Sequence, residues 1–238
     1  MPTAIILAGG LGTRLRSVVT DVPKPMALIK GKPFLEYQLD FWISRGVNDF
    51  ILAVGYKHEV ISQYFGDTYH GAKLTYSIED KPLGTGGGFL LALEKTTEEL
   101  VLLLNGDTFF DIDLEYLEAQ HREKSADVTF SVFKAFEVGR YMGLAIDKEG
   151  RVKSLATNNS ELGRLANGGI YLVKTSAVPQ SYKATHNKIS LEDDIFPGMI
   201  NNRAQIFGVS FEGRFIDIGV PSDYHRAAEI LCPHGDNS

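Results

Sequence analysis

The sequence predicts a three-layer α/β fold of Rossmann-like kind, built on a central mixed, mostly parallel sheet. Three observations carry that expectation. Apolar runs at residues 4–8, 50–54 and 100–104 read as strands buried on both faces. Helical stripes of apolar residues lie between them. The strand–helix–strand alternation is that of βαβ units with right-handed crossovers.

The first run has no basic residues ahead of it and stops at Gly9-Gly10, so it reads as a buried strand rather than a secretion signal. Phe34-Leu35, Leu39 and Trp42-Ile43 place an apolar stripe on one helix. Glu59-Val60 with Tyr64-Phe65 marks a shorter helix, and residues 89–93 another. Beyond residue 125 the pattern changes. Residues 126–133 alternate as a strand, and 144–146 and 152–155 flank a Lys148-Glu149-Gly150 turn as a hairpin. Residues 169–173 and 204–211 are further strands. Residues 157–163 read as a polar loop. A last helix runs from Pro221-Ser222 through Ile230-Leu231, and the tail 233–238 is expected to fray. No repeat or low-complexity linker divides the chain, so one domain over 1–238 is expected.

A chain of 238 residues, 44% hydrophobic and 23% charged, has the material for one large core. Its net charge of −6 and pI near 5.5 argue against non-specific nucleic-acid binding, which needs a basic surface. A phosphate ligand remains compatible, because local amides, a few cations and a metal override global charge. The single cysteine, Cys232, excludes an internal disulfide framework and a Cys-rich zinc site. No apolar run reaches the roughly 18 residues of a membrane span, so no membrane partner and a cytoplasmic location are expected. Phe196 and Tyr224 suit a homodimer face and core packing equally well. His58, His70, His121, His186, His225 and His234 show no metal or triad spacing and read as solvated surface residues.

The strongest local signal is Gly9-Gly10-Leu11-Gly12-Thr13-Arg14, directly after the first strand. Glycines there let the backbone turn sharply with its amides inward, and Arg14 adds a permanently charged phosphate donor. The dinucleotide fingerprint fails, because its third glycine position is Leu15, and the Walker pattern fails, because Gly31-Lys32 is followed by Pro33. Pro23-Lys24-Pro25-Met26 fixes the backbone on both sides of Lys24, so its ammonium is presented at a defined point. Lys81-Pro82-Leu83-Gly84-Thr85-Gly86-Gly87-Gly88 is a second glycine loop, opening a helix. Asn105-Gly106-Asp107 and Phe215-Ile216-Asp217 each put a carboxylate at a strand end, where ligands gather in open α/β sheets. Asp111 and Asp113 read as caps of a helix starting near Leu114.

Together, the 9–14 loop and Pro23-Lys24-Pro25-Met26 resemble the signature of sugar-1-phosphate nucleotidyltransferases, over about residues 4–230. The resemblance implies a nucleotide-diphospho-sugar transferase fold. It also implies transfer of a nucleoside monophosphate from a nucleoside triphosphate to a sugar 1-phosphate, releasing pyrophosphate. Residues 1–125 would then grip the nucleotide and 126–238 the acceptor. By the same resemblance, Leu7, Ala8, Gly9, Gly10, Gly12, Thr13, Arg14, Glu79, Pro82, Gly84, Thr85 and Asn105 meet the nucleotide. Asp107 and Asp217 hold Mg2+, and Arg14, Lys24 and the two aspartates carry the chemistry. Arg140, Asn167, Gly168, Gly169 and Glu192 meet the acceptor. One departure stands out. Many relatives carry a Phe-x-Glu-Lys segment whose lysine contacts the acceptor phosphate, and the corresponding stretch here, 152–159, has no Glu-Lys pair. Arg140, Lys153 and Arg164 are the alternative cations.

Within the family the chain looks most like D-glycero-α-D-manno-heptose 1-phosphate guanylyltransferases. The stretch 23–26 with Leu28, Lys32-Pro33-Phe34-Leu35-Glu36-Tyr37, Gly55-Tyr56-Lys57-His58 and the stretches 105–113 and 215–224 carry that likeness. Mannose 1-phosphate guanylyltransferases and N-acetylmuramate 1-phosphate uridylyltransferases share much of it, so a mannose 1-phosphate guanylyltransferase or another sugar-1-phosphate uridylyl- or cytidylyltransferase is the alternative, and a non-catalytic nucleotide- or sugar-phosphate-sensing subunit is the rival of another class.

Overall fold

The computed structural model describes residues 1–10, 12–15, 18, 19, 21–135, 137, 140–156, 164–183 and 188–232. The expected loop at 157–163, the fraying tail, His186 and His234 lie outside the described residues.

Strand β1 (Thr3–Leu7) comes first, and a small hairpin, β2 (Leu28–Ile29) and β3 (Lys32–Pro33), leads into α1 (Phe34–Ser44). Then come β4 (Asp49–Val54), α2 (His58–Phe65), the short β5 (Thr68–Tyr69), β6 (Ala72–Ile78), α3 (Gly84–Leu93), β7 (Leu100–Asn105), β8 (Thr108–Phe110) and α4 (Leu114–Glu123). The second half adds β9 (Val128–Ala135), β10 (Gly143–Ile146), β11 (Val152–Ala156), β12 (Arg164–Lys174), α5 (Gln180–Lys183), α6 (Phe196–Asn201), β13 (Ile206–Ser210), β14 (Phe215–Asp217) and α7 (Pro221–Leu231).

At the centre, β1 pairs in parallel with β4 and β7, with Ile5 opposite Ile51 on one side and Leu103 on the other, and β4 pairs in parallel with β6. Side chains alternate across a strand. Ala4, Ile6 and Ala8 therefore enter one core and Ile5 the other, which is why β1 reads as an unbroken apolar run. One face is covered by α1, α2 and α4 through Leu39, Trp42, Phe65 and Leu117, the other by α3 and α6 through Phe89 and Phe196.

The sheet does not stop between the two halves. β12 lies antiparallel to β7, with Tyr171 opposite Leu103, and brings β9, β13 and the β10–β11 hairpin with it. Away from this sheet, β14 pairs antiparallel with β8. A third apolar cluster, with Phe34, Phe109, Ile216, Ile218 and Ala227, packs that ribbon between α1 and α7.

Several expectations change. β6 was not among the predicted strands, although Ala72, Leu74, Tyr76 and Ile78 alternate with Lys73, Thr75 and Ser77 in the period-2 pattern of a strand; the expectation of central strands rests on continuous apolar runs alone. The glycines 84–88 are not a loop ahead of a helix but the first turns of α3 itself. Asp113 caps α4, accepting from the Tyr116 N–H at 3.0 Å, whereas Asp111 is an ion-pair partner of Arg45 at 2.8 Å and Arg214 at 3.2 Å. Phe196 is 1% exposed and belongs to the core, so it offers no dimer face; Tyr224 packs beside the third cluster and donates to the Leu28 carbonyl at 2.7 Å. His121 is buried rather than solvated. It sits 2.8 Å from the Thr129 hydroxyl, and burial pushes its pKa down. No helix among the described residues is long and apolar enough to cross a membrane.

Candidate active site

Where β1, β4, β6 and β7 end, the chain leaves a cleft of about 830 Å³. Leu7, Ala8, Gly9, Gly10, Gly12 and Arg14 line it from the first loop. A short turn of 3-10 helix, Thr13–Leu15, follows. Gly12 has φ +58°, and a Cβ there would meet the Cβ of Lys24 at 3.0 Å, so only glycine lets the loop and the lysine stem pack this closely.

Lys24 starts its own turn of 3-10 helix, with Pro23 extended before it and Pro25 buried after it. Its side chain is 10% exposed, and its ammonium donates to Asp107 Oδ2 at 2.5 Å. Asp107 is held from behind. The Gly106 N–H donates to the Leu7 carbonyl at 3.1 Å, and a Cβ at Gly106 would lie 2.3 Å from that oxygen. Buried Gln38, on α1, donates through one amide nitrogen to the carbonyls on either side of Asp107, Asn105 at 2.8 Å and Thr108 at 2.6 Å.

The β8–β14 ribbon brings in the second acid. Asp217 stands opposite Thr108, and the Ile218 N–H donates to the Asp107 carbonyl at 2.9 Å. The Asp217 carboxyl accepts from the Gly219 N–H at 2.6 Å and lies 3.7 Å from Arg140 Nη2. Its pKa is raised, first by burial and then by the charge of Asp107, against the opposing pull of Lys24, the Gly219 N–H and Arg140. Two carboxylates are thus crowded together with one ammonium against them.

At the other end of the cleft lies Glu79. Its carboxylate accepts from the Leu83 N–H at 3.1 Å and lies against two glycines, where Cβ atoms would come within 2.9 Å at Gly9 and 2.6 Å at Gly55. Burial raises its pKa. Ser77, in β6, lies two residues before Glu79 and also lines the cleft, and its buried hydroxyl has no partner among the described residues. Pro82, Gly84 and Thr85 complete this end.

On the second-half side, Asn167 donates to the Tyr171 hydroxyl at 2.7 Å and accepts from the Gly169 N–H at 3.0 Å. Gly169, at φ +72°, leaves room for the Asn105 side chain. Glu192 accepts from Thr85 Oγ1 at 2.8 Å, and Thr85 accepts from the Leu191 N–H at 2.9 Å, so this acidic turn is stitched to the start of α3. Arg140, Tyr141, Met142 and Phe215 close this side. Gly168 does not line the cleft. The close approach it permits is to the Phe110 ring and the Ser131 hydroxyl, where a Cβ would stand at 2.6 and 2.5 Å. Lys153 also lies elsewhere, paired with Asp147 at 2.7 Å, and Arg164 is not a lining residue.

Sequence reading thus named most of the cleft; the lining residues it did not assign include Ser77, Tyr141, Met142, Lys188 and Phe215, and it also missed Gln38 behind the Asp107 turn. Ser77 sits near the end of β6, where strands of an open α/β sheet present residues to a ligand, and an unmarked β6 left that position unread. Gln38 carries a signal of its own, an amide inside the apolar stripe of α1.

Among the described residues no cluster of three or more His, Cys, Asp or Glu is placed to hold a metal. Asp107 and Asp217 still suit a hard divalent cation. Mg2+ is commonly held by one or two carboxylates, with substrate phosphates and water completing the shell.

A nucleotidyl transferase family model matches residues 3–233. The D-glycero-alpha-D-manno-heptose 1-phosphate guanylyltransferase of Aneurinibacillus thermoaerophilus is 41% identical over 228 residues, covering 96% of this chain and 97% of its own. The enzyme of the same description from Campylobacter jejuni is 41% identical over 223 residues, covering 94% and 97%. In three dimensions the chain superposes on the crystal structure of HddC from Yersinia pseudotuberculosis complexed with GMP-PN, with TM-score 0.84, 33% identity, and coverage of 96% of this chain and 99% of that one.

Proposed function

The chain belongs to the nucleotidyl transferase family, and from that premise we propose that it moves GMP from GTP onto D-glycero-α-D-manno-heptose 1-phosphate, forming a GDP-heptose and releasing pyrophosphate. The observation that carries this reading is the meeting of Lys24, Asp107 and Asp217 at the foot of the 9–14 loop. The 41% identity to heptose 1-phosphate guanylyltransferases supports the choice of acceptor and base.

The acceptor is already a phosphate, largely dianionic near neutral pH because its second pKa is about 6, so no general base is needed. An acceptor oxygen attacks the α-phosphorus in line, and pyrophosphate leaves. Catalysis is then positioning and charge neutralisation. Arg14 binds the leaving β- and γ-phosphates. Lys24 exchanges Asp107 for an α-phosphate oxygen, where negative charge shifts in the transition state.

Family members generally use a divalent metal, and Mg2+ is the ion assigned here. Bound by Asp107 and Asp217, it supplies the positive charge that offsets repulsion between the two phosphates. Glu79, held by the Leu83 N–H, accepts from guanine N1–H and N2–H. Pro82, Gly84, Thr85 and Asn105 flank the nucleoside. Asn167, Gly169 and Glu192 face the sugar hydroxyls, and Arg140 faces the acceptor phosphate. The chain works as one domain, its first half gripping the nucleotide and its second the acceptor. The reaction is assigned to the cytoplasm, and its product to glycan assembly.

Pyrophosphate release across four nucleoside triphosphates and a set of sugar 1-phosphates tests the reading. The expected result is fastest release with GTP and heptose 1-phosphate. Preference for mannose 1-phosphate would correct the acceptor, and preference for UTP the base. No release with any pair would favour a nucleotide- or sugar-phosphate-sensing protein.

A further inference from the structure

Asp223 is 3% exposed, an unusual place for a carboxylate on the second residue after a helix-starting proline. Burying a carboxylate is costly unless it is paired and hydrogen-bonded. Here the cost is met by two guanidinium groups. Both Nε and Nη2 of Arg140 donate to Asp223 Oδ2, the first at 3.0 Å, while Arg226 Nη2 donates to Oδ1 at 3.0 Å. The start of α7 adds a favourable field for the negative charge.

The consequence falls on Arg140. Two of its three nitrogens are fixed by Asp223, and Nη2 also reaches the Asp217 carbonyl at 3.4 Å. Among the described residues nothing hydrogen-bonds its Nη1, and the residue lines the cleft. A guanidinium held along one edge presents the other as a fixed donor, with little rotamer entropy left to lose when an anion arrives. Lys24, a partly buried cation of the same cleft, is already engaged by Asp107.

We propose that Asp223 is a positioning residue, a buried tether that holds Arg140 with its free edge toward the acceptor's phosphate. This rests on the activity proposed above and adds to it a residue that touches no substrate. Three variants test it: Asp223→Asn, Arg140→Lys and the double variant. Asparagine keeps the shape of the tether without its charge. Lysine keeps the charge at residue 140, but a single ammonium cannot span tether and phosphate as a planar fork does.

Each single variant is expected to raise KM for heptose 1-phosphate about tenfold while KM for GTP stays within about twofold. The double variant is expected to add little, because the second change removes an interaction the first has already broken. Arg226→Ala, which removes the other partner of Asp223, should leave the acceptor KM near wild type. Calorimetric titration of the same variants with heptose 1-phosphate gives the same comparison without turnover. Absence of turnover in the wild-type chain would defeat the activity, whereas turnover or binding with unshifted acceptor affinity in Asp223→Asn would defeat only the tether. Effects that multiply in the double variant, or that fall equally on GTP, would also overturn it. Those are what a purely structural Asp223 gives.

Discussion

Replacing Lys24 by methionine separates two effects that the structure makes unequal. Methionine keeps an apolar stem against Gly12, where the lysine now packs, and removes only the ammonium. In the ligand-free chain this leaves Asp107 and Asp217 crowded without Lys24. Breaking a fully buried pair costs about 3–5 kcal/mol, and an exposed pair is worth at most about 1 kcal/mol. Lys24 is 10% exposed and Asp107 34%, which places this pair between those limits. A loss of about 1–2 kcal/mol follows. It is softened because Asp217, already raised in pKa, takes up a proton more readily.

Turnover should suffer more. An ammonium at the α-phosphate acts where charge shifts in the transition state, and removing one such preorganised donor costs about 10²–10³ in kcat, roughly 2.7–4 kcal/mol. Steady-state pyrophosphate release at saturating substrate measures the second effect and urea unfolding the first. Near-wild-type kcat in a folded Lys24→Met chain would refute the role given to this lysine.

Four further outcomes are expected. The Asp217 carboxyl has a raised pKa in the folded chain, so its contribution to stability is full below the ordinary carboxyl range and is lost as pH rises through the folded value. Asp217→Asn should therefore stabilise the ligand-free chain at neutral pH by about 0.5–1 kcal/mol in urea unfolding while lowering turnover at least about 100-fold; a destabilised variant would contradict the crowding. Glu79→Gln should raise KM for GTP about tenfold with the acceptor KM unchanged, because an amide offers a donor where the base needs an acceptor. In the wild type, KM for GTP should climb as pH falls through the raised Glu79 value, and a flat profile would count against base contact. Gly106→Ala drives a Cβ to within 2.3 Å of the Leu7 carbonyl, which should cost about 1–3 kcal/mol in urea unfolding; an unchanged midpoint would show that the β1–β7 junction is looser than described. Chelation should stop turnover, Mg2+ restore it, and circular dichroism stay constant throughout, because no cluster of three or more ligands holds a structural metal among the described residues.

What the sequence made legible follows from physics that acts locally. β1, β4 and β7 are apolar on both faces, so each announces itself as a run. The β10–β11 hairpin carries its turn in Gly150, at φ +84°. Lys24 was legible because prolines flank it, and Asp107 because it follows a buried strand and a glycine. What stayed hidden depends on partners far along the chain. β8 and β14 have three residues each and pair across more than a hundred others, yet this ribbon brings Asp217 beside Asp107. The order β12-β7-β1 joins the two halves through Tyr171 and Leu103, and nothing in either strand alone specifies that neighbour. Gly168 was misread for a related reason. A glycine signals close approach, but not whether a ligand or, as here, the Phe110 ring is what approaches.

The central claim is that Asp107 and Asp217 share one divalent ion while Lys24 turns to the α-phosphate. A crystal structure with Mn2+ and a non-hydrolysable GTP analogue tests it most directly. The account predicts one anomalous peak in contact with both carboxylates, with the Lys24 ammonium moved from Asp107 to an α-phosphate oxygen. A peak bound by neither aspartate, or a Lys24–Asp107 contact unchanged beside bound nucleotide, would contradict it.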